Sequence, residues 1–427
     1  MPVVATEGRA PWRVGAASFV GTAVQYYDFS IYSTAAALVF PAVFFPSSDP
    51  LLGTVAAFGT FAAGFLASPL GAVLFGHLGD RYGRRTTLWI TLVLMGGATI
   101  GIGLLPGFGA IGVAAPILLV LLRVVQGAAF GGEWGGAVLL AYESAPDGRK
   151  GLLASLPQAG PAAGVLLGNL AFLPVLALGP AAVSSWAWRV PFLASVVLVG
   201  LGLAVRLSVA ETADFVETQR VGTVERLPLM RVVRRYPREV LLVAGGYLGF
   251  AAVPAVAVTF MLGHASVVSA VLLWAVLAGN VAQLVTVPIS GALADRWGPR
   301  PLVLAGSVTA AAGIVLVFAA VQSGDVGMIV AGYLLGFGVL YCVGYGAQPV
   351  AFAEVFDAPV RYSGIAVGTA IGTVLGSGFG PLVATGLVHA TGTSWSAAGY
   401  VVLTLALSFA CLAVLTRPTR RPVEVTT

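Results

Sequence analysis

A membrane-spanning helix needs about 20 mostly apolar residues. This chain offers twelve such runs, over residues 14–39, 53–75, 86–106, 113–141, 152–178, 187–207, 239–262, 266–292, 301–321, 326–350, 364–390 and 395–416. The breaks between them are short, except for 208–238, which is polar, rich in Arg and Glu, and leaves six runs on either side. Only 9% of the 427 residues are charged, against about 25% in a soluble domain. The expected fold is an all-α membrane protein of twelve transmembrane helices in two six-helix halves, 1–207 and 239–427. Residues 208–238 then form a linker, with a short amphipathic helix near Met230–Tyr236.

Basic residues set the orientation. With the N-terminus inside, all but Arg123 and Arg189 of the 22 Lys and Arg residues fall in cytoplasmic segments or at their edges. Both termini are therefore expected in the cytoplasm, and the net charge of +5 reads as a topology signal, not as a nucleic-acid surface. The N-terminal stretch lacks the short apolar region and cleavage site of a removable signal peptide. Cys342 and Cys411 both lie in apolar runs and suggest neither a disulfide nor a metal site.

The loop after the second run reads Gly76-His-Leu-Gly-Asp-Arg-Tyr-Gly-Arg-Arg85, and the loop after the eighth reads Gly291-Ala-Leu-Ala-Asp-Arg-Trp-Gly-Pro-Arg300. Gly76, Leu78, Asp80, Arg81, Gly83 and Arg85 fall in register with Gly291, Leu293, Asp295, Arg296, Gly298 and Arg300, so the two halves are expected to be pseudo-symmetric repeats. A carboxylate at Asp80 or Asp295 is placed to cap a helix N-terminus across the interface. Arg81, Arg84 and Arg85 are candidates to pair with Glu143, and Glu354 with Arg361 repeats the placing of Glu143 with Arg149. Together these residues read as a cytoplasmic gate that holds that side shut. Topology alone explains many of the arginines but not the acid and glycine spacing.

The fifth run carries Gly160, Gly164 and Gly168, and the eleventh carries Gly364, Gly368, Gly372, Gly376 and Gly380. Small residues every four line one face and let another backbone approach. Ordinary packing is one reading; a sliding contact between the halves is the other, and the match between the halves favours it.

Three charges lie well inside the runs: Asp28, Arg123 and Glu133. Intramembrane charges cost about 2.5–3.5 kcal/mol each on translocon scales and are functional by default. Arg123 and Glu133 are about 15 Å apart along a helix and offset by about 80°, so they can face one cavity without touching. Arg123 supplies a fixed cation with fork geometry for a carboxylate. Asp28 or Glu133 is then the candidate proton carrier, since a dry cavity favours the protonated acid and an approaching cation favours the carboxylate. A static pair that only fixes packing is the plainer alternative. Gln25, Tyr26, Tyr27 and Gln126 flank these charges as candidate substrate contacts. The second half offers Tyr247, Trp274, Asn280, Gln283, Tyr341, Tyr345 and Gln348 for the facing wall, and Tyr341, Tyr345 and Gln348 share one helical face. No ATP-binding, metal-ligand or nucleophile–base pattern is present, so an enzyme is not expected and transport should run on an ion gradient, with the proton as coupling ion and no other cofactor.

Twelve runs with this motif after the second and eighth resemble the major facilitator superfamily, whose loop G-x-L-x-D-R-x-G-R-R the first copy matches almost completely. A narrower resemblance is to the metabolite:proton symporter family. It rests on Gln25-Tyr-Tyr-Asp-Phe29, Arg123-Val-Val-Gln-Gly127, Gly131-Gly-Glu133, Glu143-Ser-Ala-Pro146 with Arg149, Trp188-Arg-Val-Pro-Phe192, Glu211-Thr-Ala-Asp-Phe215 and Arg361-Tyr-Ser-Gly364. One departure is that Gln25 and Tyr26 stand where that family usually has Glu-Trp. The resemblance implies proton-coupled symport, in a bacterial cytoplasmic membrane, of a small organic anion (mono- or dicarboxylate) or zwitterion, with the fourth-span arginine in proton coupling and Asp80 contacting the chain near Tyr362–Gly364. Its members carry proline or betaine, α-ketoglutarate, citrate, shikimate and other dicarboxylates. The alternative is a proton-antiport exporter, because Gly160-Pro-Ala-Ala-Gly164 is similar to the superfamily's antiporter motif. The expected partners are a small-molecule substrate and the lipid bilayer, with no nucleic acid, and a monomer is expected.

Overall fold

The computed structural model describes residues 10–46, 50–220, 228–261 and 269–417. Among these, helices account for nearly all regular structure. Twelve long ones make the bundle. In the first half they are α1 (Ala10–Leu38), α2 (Pro50–Tyr82), α3 (Arg84–Leu104), α4 (Ala114–Glu143), α5 (Lys150–Ala177) and α6 (Val183–Leu207). In the second they are α7 (Pro237–Val258), α8 (Ser269–Trp297), α9 (Pro299–Ser323), α10 (Val326–Ala353), α11 (Ala358–Thr391) and α12 (Trp395–Leu415). All but α1 contain a stretch apolar enough to cross a membrane by length and composition. At 29 residues α1 is about 44 Å long, and polar Gln25 and Asp28 interrupt its apolar sequence.

Between α6 and α7 run two short helices, Ala213–Arg220 and Pro228–Arg235. The second lies where an amphipathic helix was expected. It buries Pro228 and Val232 while Met230, Val233, Arg234 and Arg235 stay exposed. Tyr236 follows it and donates its hydroxyl to Asp357, tying the linker to the approach to α11.

Each half packs the same way. The glycines of α5 meet α1: a Cβ on Gly160 would strike Thr22, and one on Gly164 would lie 2.3 Å from the Ala23 carbonyl. Those of α11 meet α7, with Gly368 against Val243, Gly372 against Ala244 and Gly376 against Leu248. The expectation of a sliding contact between halves is therefore corrected. The stripes seat α5 on α1 and α11 on α7 inside each half, and the ends of α5 and α11 reach across by other faces. The antiporter-like Gly160–Gly164 stretch is part of this packing.

Contact between the halves runs through α2 with α11 and α5 with α8. On the arginine-rich side the approach is closest: a Cβ on Gly291 of α8 would strike Ser155 Oγ of α5, and one on Gly76 of α2 would lie 3.0 Å from Ser363 Cα of α11. Away from that side the halves part around a cavity. Three of the four second-half helices that line it are interrupted, α8 alone running as regular α-helix among the described residues. Wider, π-type turns occupy Ala255–Phe260 in α7, Tyr333–Leu340 in α10 and Val374–Gly378 in α11. Such turns collect at functional sites, and here Ala255, Phe337, Val374 and Ser377 all reach the cavity wall.

Candidate functional site: a central cavity and its closed side

The arginine-rich side is shut by two related locks. Asp80, at the end of α2, accepts the backbone N–H groups of Tyr362 (3.2 Å) and Ser363 (2.8 Å), at the start of α11. Asp295, at the end of α8, accepts those of Gly151 (2.6 Å) and Leu152 (2.9 Å), at the start of α5. Each carboxylate satisfies helix-terminal donors of the opposite half, where the helix dipole favours negative charge. The locks differ in what surrounds them. Asp80 is buried and lies 3.4 Å from Arg84, whereas the position matching Arg84 in the second motif is Pro299 and Asp295 is only half-buried.

Arg84 is the hub of the first lock. It reaches Glu143 at 3.3 Å and the carbonyls of Gly79 (3.0 Å) and Ala358 (2.9 Å), so it joins α2, α4 and α11. Glu143 also pairs across the halves with Arg361 at 3.0 Å. The expected pairing of Arg361 with Glu354 is thus corrected, since Arg361 reaches Glu143 instead; Lys150, at the start of α5, pairs with Asp147 at 3.2 Å and acts electrostatically on Glu354, at the end of α10. The expected pairing of Arg81, Arg85 and Arg149 is corrected. Arg81 is exposed with its guanidinium over the Tyr82 ring, Arg85 donates to the Leu207 carbonyl (2.6 Å), and Arg149 is exposed just before α5. Arg296 is likewise exposed. Gly83 and Gly298 make the tight α2–α3 and α8–α9 turns at φ +107° and +81°, a region that L side chains rarely adopt. Gly83 also leaves room for Glu211, whose carboxylate accepts the N–H groups of Arg84 (3.1 Å) and Arg85 (3.2 Å) and so caps α3.

Behind the locks lies the cavity, about 580 Å³, between the two halves. Tyr26, Phe29 and Phe130 line it from the first half, and Tyr247, Asn280, Gln283, Tyr341 and Tyr345 from the second. Tyr341 and Tyr345 stack at 4.7 Å between centroids. Trp134 of α4 packs on Tyr247 at 5.7 Å and donates to Gln158 of α5 at 2.5 Å. Gln158 in turn donates to the Tyr345 carbonyl at 3.3 Å, a bond between halves. Neither Trp134 nor Gln158 was singled out from sequence. Gln158 carried a signal, as an amide inside a long apolar run; Trp134, next to Glu133, did not.

Four expected wall residues are elsewhere. Gln25 is buried and donates to the Phe130 carbonyl (3.1 Å), and Tyr27 donates to the Pro191 carbonyl (2.8 Å) inside the first half. Gln348 is buried against α7, with its amide 3.4 Å from the Gly246 carbonyl. Trp274 is 64% exposed, on the outer face of α8. In each case helix rotation, which spacing alone does not fix, turns the side chain away from the cavity.

The intramembrane charges form two separate clusters. In the first, Asp28 accepts from the Thr99 hydroxyl at 2.8 Å, Gln126 donates to that hydroxyl at 2.7 Å, and Arg123 donates to Gln126 at 3.3 Å. The Arg123 guanidinium lies over the rings of Tyr32 (4.2 Å) and Phe29 (5.2 Å). Arg123 and Gln126 face a narrow side recess that shares Phe29, Phe65 and Phe130 with the main cavity. In the second cluster Glu133 is bonded by both arms of Arg206, and by the Thr91 hydroxyl at 2.5 Å. Arg206, 2% exposed, also donates to the Leu88 carbonyl. By position in the sequence Arg206 is one of the cytoplasmic arginines, and Glu133 is expected to face a cavity with Arg123. In the fold Glu133 turns toward α3 and α6, and Arg206 reaches inward across the bare face of Gly21 to meet it.

Comparison with known proteins agrees with this architecture. Residues 14–224 match the family model for sugar (and other) transporters, and 240–427 that of the major facilitator superfamily. The shikimate transporter of Escherichia coli is 37% identical, over 96% of this chain and 95% of its own. The Escherichia coli inner membrane metabolite transport protein YhjE is 36% identical over 95% and 92%, and the Escherichia coli proline/betaine transporter 32% over 98% and 86%. Among solved structures, the proton:xylose symporter XylE bound to 6-bromo-6-deoxy-D-glucose superposes with a TM-score of 0.75 over 95% of both chains, at 16% identity, a likeness of fold. The protein is a multi-pass membrane transporter and not an enzyme. The chain belongs to the major facilitator superfamily, in the family of these metabolite transporters.

Proposed function

We propose that the protein is a proton-coupled symporter of a small organic anion or zwitterion, working by alternating access in a bacterial cytoplasmic membrane with both termini inside. The observation that carries this is the placing of Arg123. Among the described residues that line the two adjoining cavities it is the one that is charged, and it is linked through Gln126 and Thr99 to Asp28. An arriving carboxylate would compete with Gln126 for Arg123, and that change would pass along the chain to Asp28. Asp28 is the better proton carrier of the two acids. Its Oδ1 accepts no hydrogen bond from the described residues, whereas both Glu133 oxygens are held. Opening of the two carboxylate locks would then deliver substrate and proton to the cytoplasm together.

Uptake into proteoliposomes with an acid exterior tests this, using labelled carboxylates, proline and betaine. Asp28→Asn should lose gradient-driven accumulation while keeping counterflow, and Arg123→Ala should lose both. Full driven accumulation by Asp28→Asn would remove that residue from proton coupling, and substrate-stimulated proton leak from loaded vesicles without uptake would indicate export.

A further inference from the structure

The wall of the main cavity says more about the substrate than its one neighbouring cation. Its aromatic residues come from both halves: Phe337 stacks on Tyr341 at 5.6 Å and Tyr341 on Tyr345 in the second, while Tyr26 and Phe130 meet at a tilt, 5.6 Å between centroids, in the first. Among the described residues, none that lines it is charged. Several of its polar donors are already committed. Tyr341 donates to the Phe250 carbonyl (3.2 Å), Gln283 to that of Phe337 (3.1 Å), Asn280 to that of Val276 (3.1 Å) and Ser377 to that of Ala251 (2.7 Å). A polyhydroxylated or multiply charged solute entering here would replace only part of the hydrogen bonds it gives up with water. A flat or puckered hydrocarbon ring would instead meet aromatic side chains on both sides.

Resting on the symporter reading above, we propose that the substrate is a monocarboxylic acid built on an aromatic or alicyclic ring with few hydroxyls. The ring occupies the cavity between Tyr26 and Phe130 on one side and Tyr341 and Tyr345 on the other. The single carboxylate is directed to Arg123 past Phe29, Phe65 and Phe130, which form the partition between cavity and recess. A second carboxylate would be left against the aromatic wall with no cation, so succinate and citrate are excluded.

The test compares 4-hydroxybenzoate, cyclohexanecarboxylate, shikimate, succinate, citrate and glycine betaine. Binding is measured by calorimetry on the purified full chain. Uptake is measured in proteoliposomes with an acid exterior, and uptake by protein-free vesicles is subtracted because neutral ring acids cross lipid unaided. The expected result is a kcat/KM at least about tenfold higher for 4-hydroxybenzoate and cyclohexanecarboxylate than for the other four. Phe130→Leu, which keeps an apolar side chain but removes the ring, should lower the ring-acid value by about tenfold with smaller change for succinate. Driven uptake of succinate, citrate or betaine at a rate equal to the ring acids would overturn the substrate class and leave symport standing. Tight binding of the ring acids without driven uptake would keep the class and overturn symport. If shikimate is favoured over cyclohexanecarboxylate, the cavity offers hydroxyl recognition and the proposal fails.

Discussion

Glu133 shows how far a residue's role depends on rotation. Read along the sequence, it shares a helix with Arg123 and invites a common site; in the fold its partner is Arg206, from α6. Nothing in the sequence marks Arg206 as different from the other basic residues at helix ends. Its signal is Gly21, which leaves the bare face it crosses, and a glycine in an apolar run has many possible reasons. Removing one partner of a buried pair leaves the other charge uncompensated, at a cost of about 3–5 kcal/mol, while replacing both with apolar residues of similar size is often near neutral. Glu133→Gln and Arg206→Met should therefore each lower thermal stability in detergent, and Glu133→Leu with Arg206→Met should recover most of it. If the double variant retained its fold but lost gradient-driven uptake, the pair would have a transport role beyond packing. Asp28 and Arg123 stand out in the sequence as charges in apolar helices, but it groups them with Glu133 and offers Gln126 only as a substrate contact; the link through Gln126 and Thr99 is not legible there, since a threonine in a membrane helix is common.

At the scale of elements, the repeated loop motif was the most informative part of the sequence. Two acids in register at the ends of α2 and α8 forecast two equivalent helix caps, and both occur. The glycine stripes of α5 and α11 were also a true repeat, but a repeat identifies equivalent positions without saying which neighbour each one meets. The π-type turns in α7, α10 and α11 left no trace in hydropathy at all, since an inserted backbone turn needs no change in apolar composition. The two caps are not equal in strength. Asp80 is buried with Arg84 beside it, and Asp295 is half-buried with Pro299 at the corresponding place. A charge-assisted cap is worth up to about 2 kcal/mol when partly buried. Asp80→Asn should therefore open the arginine-rich side more than Asp295→Asn does, seen as faster labelling there of a cysteine at Tyr345 in a background lacking Cys342 and Cys411. Equal labelling in the two variants would mean that the Arg84 network adds nothing to the lock.

The whole molecule has a state that no single helix reveals. One side is shut where α2 meets α11 and α5 meets α8, and the cavity lies beyond it; in the alternating-access cycle proposed above, with that side cytoplasmic, this form would be the outward-facing stage. Twelve helices and two halves could be counted from the sequence; the state could not, because both ends of the cycle use the same apolar faces and the same loop motif. The contacts nonetheless say how to shift it. A Cβ on Gly291 would strike Ser155 and the Gly151 carbonyl across the halves, whereas one on Gly160 would strike Thr22 inside the first half. Both glycines sit in tight packing, Gly291 where the halves meet and Gly160 inside the first half. Gly291→Val should stop the halves from closing on the arginine-rich side. Transport should fall sharply, that side should become permanently accessible to thiol reagents, and the fold should persist because opening relieves the clash. Gly160→Val has no such escape, since α1 and α5 travel together. It should lower stability without a preference for either facing state. The discriminating measurement is labelling from each side of the membrane together with melting temperature. If Gly291→Val were as unstable as Gly160→Val and equally unbiased in labelling, the boundary would not be where the halves part, and the α5–α8 contact would have to be treated as fixed packing throughout the cycle.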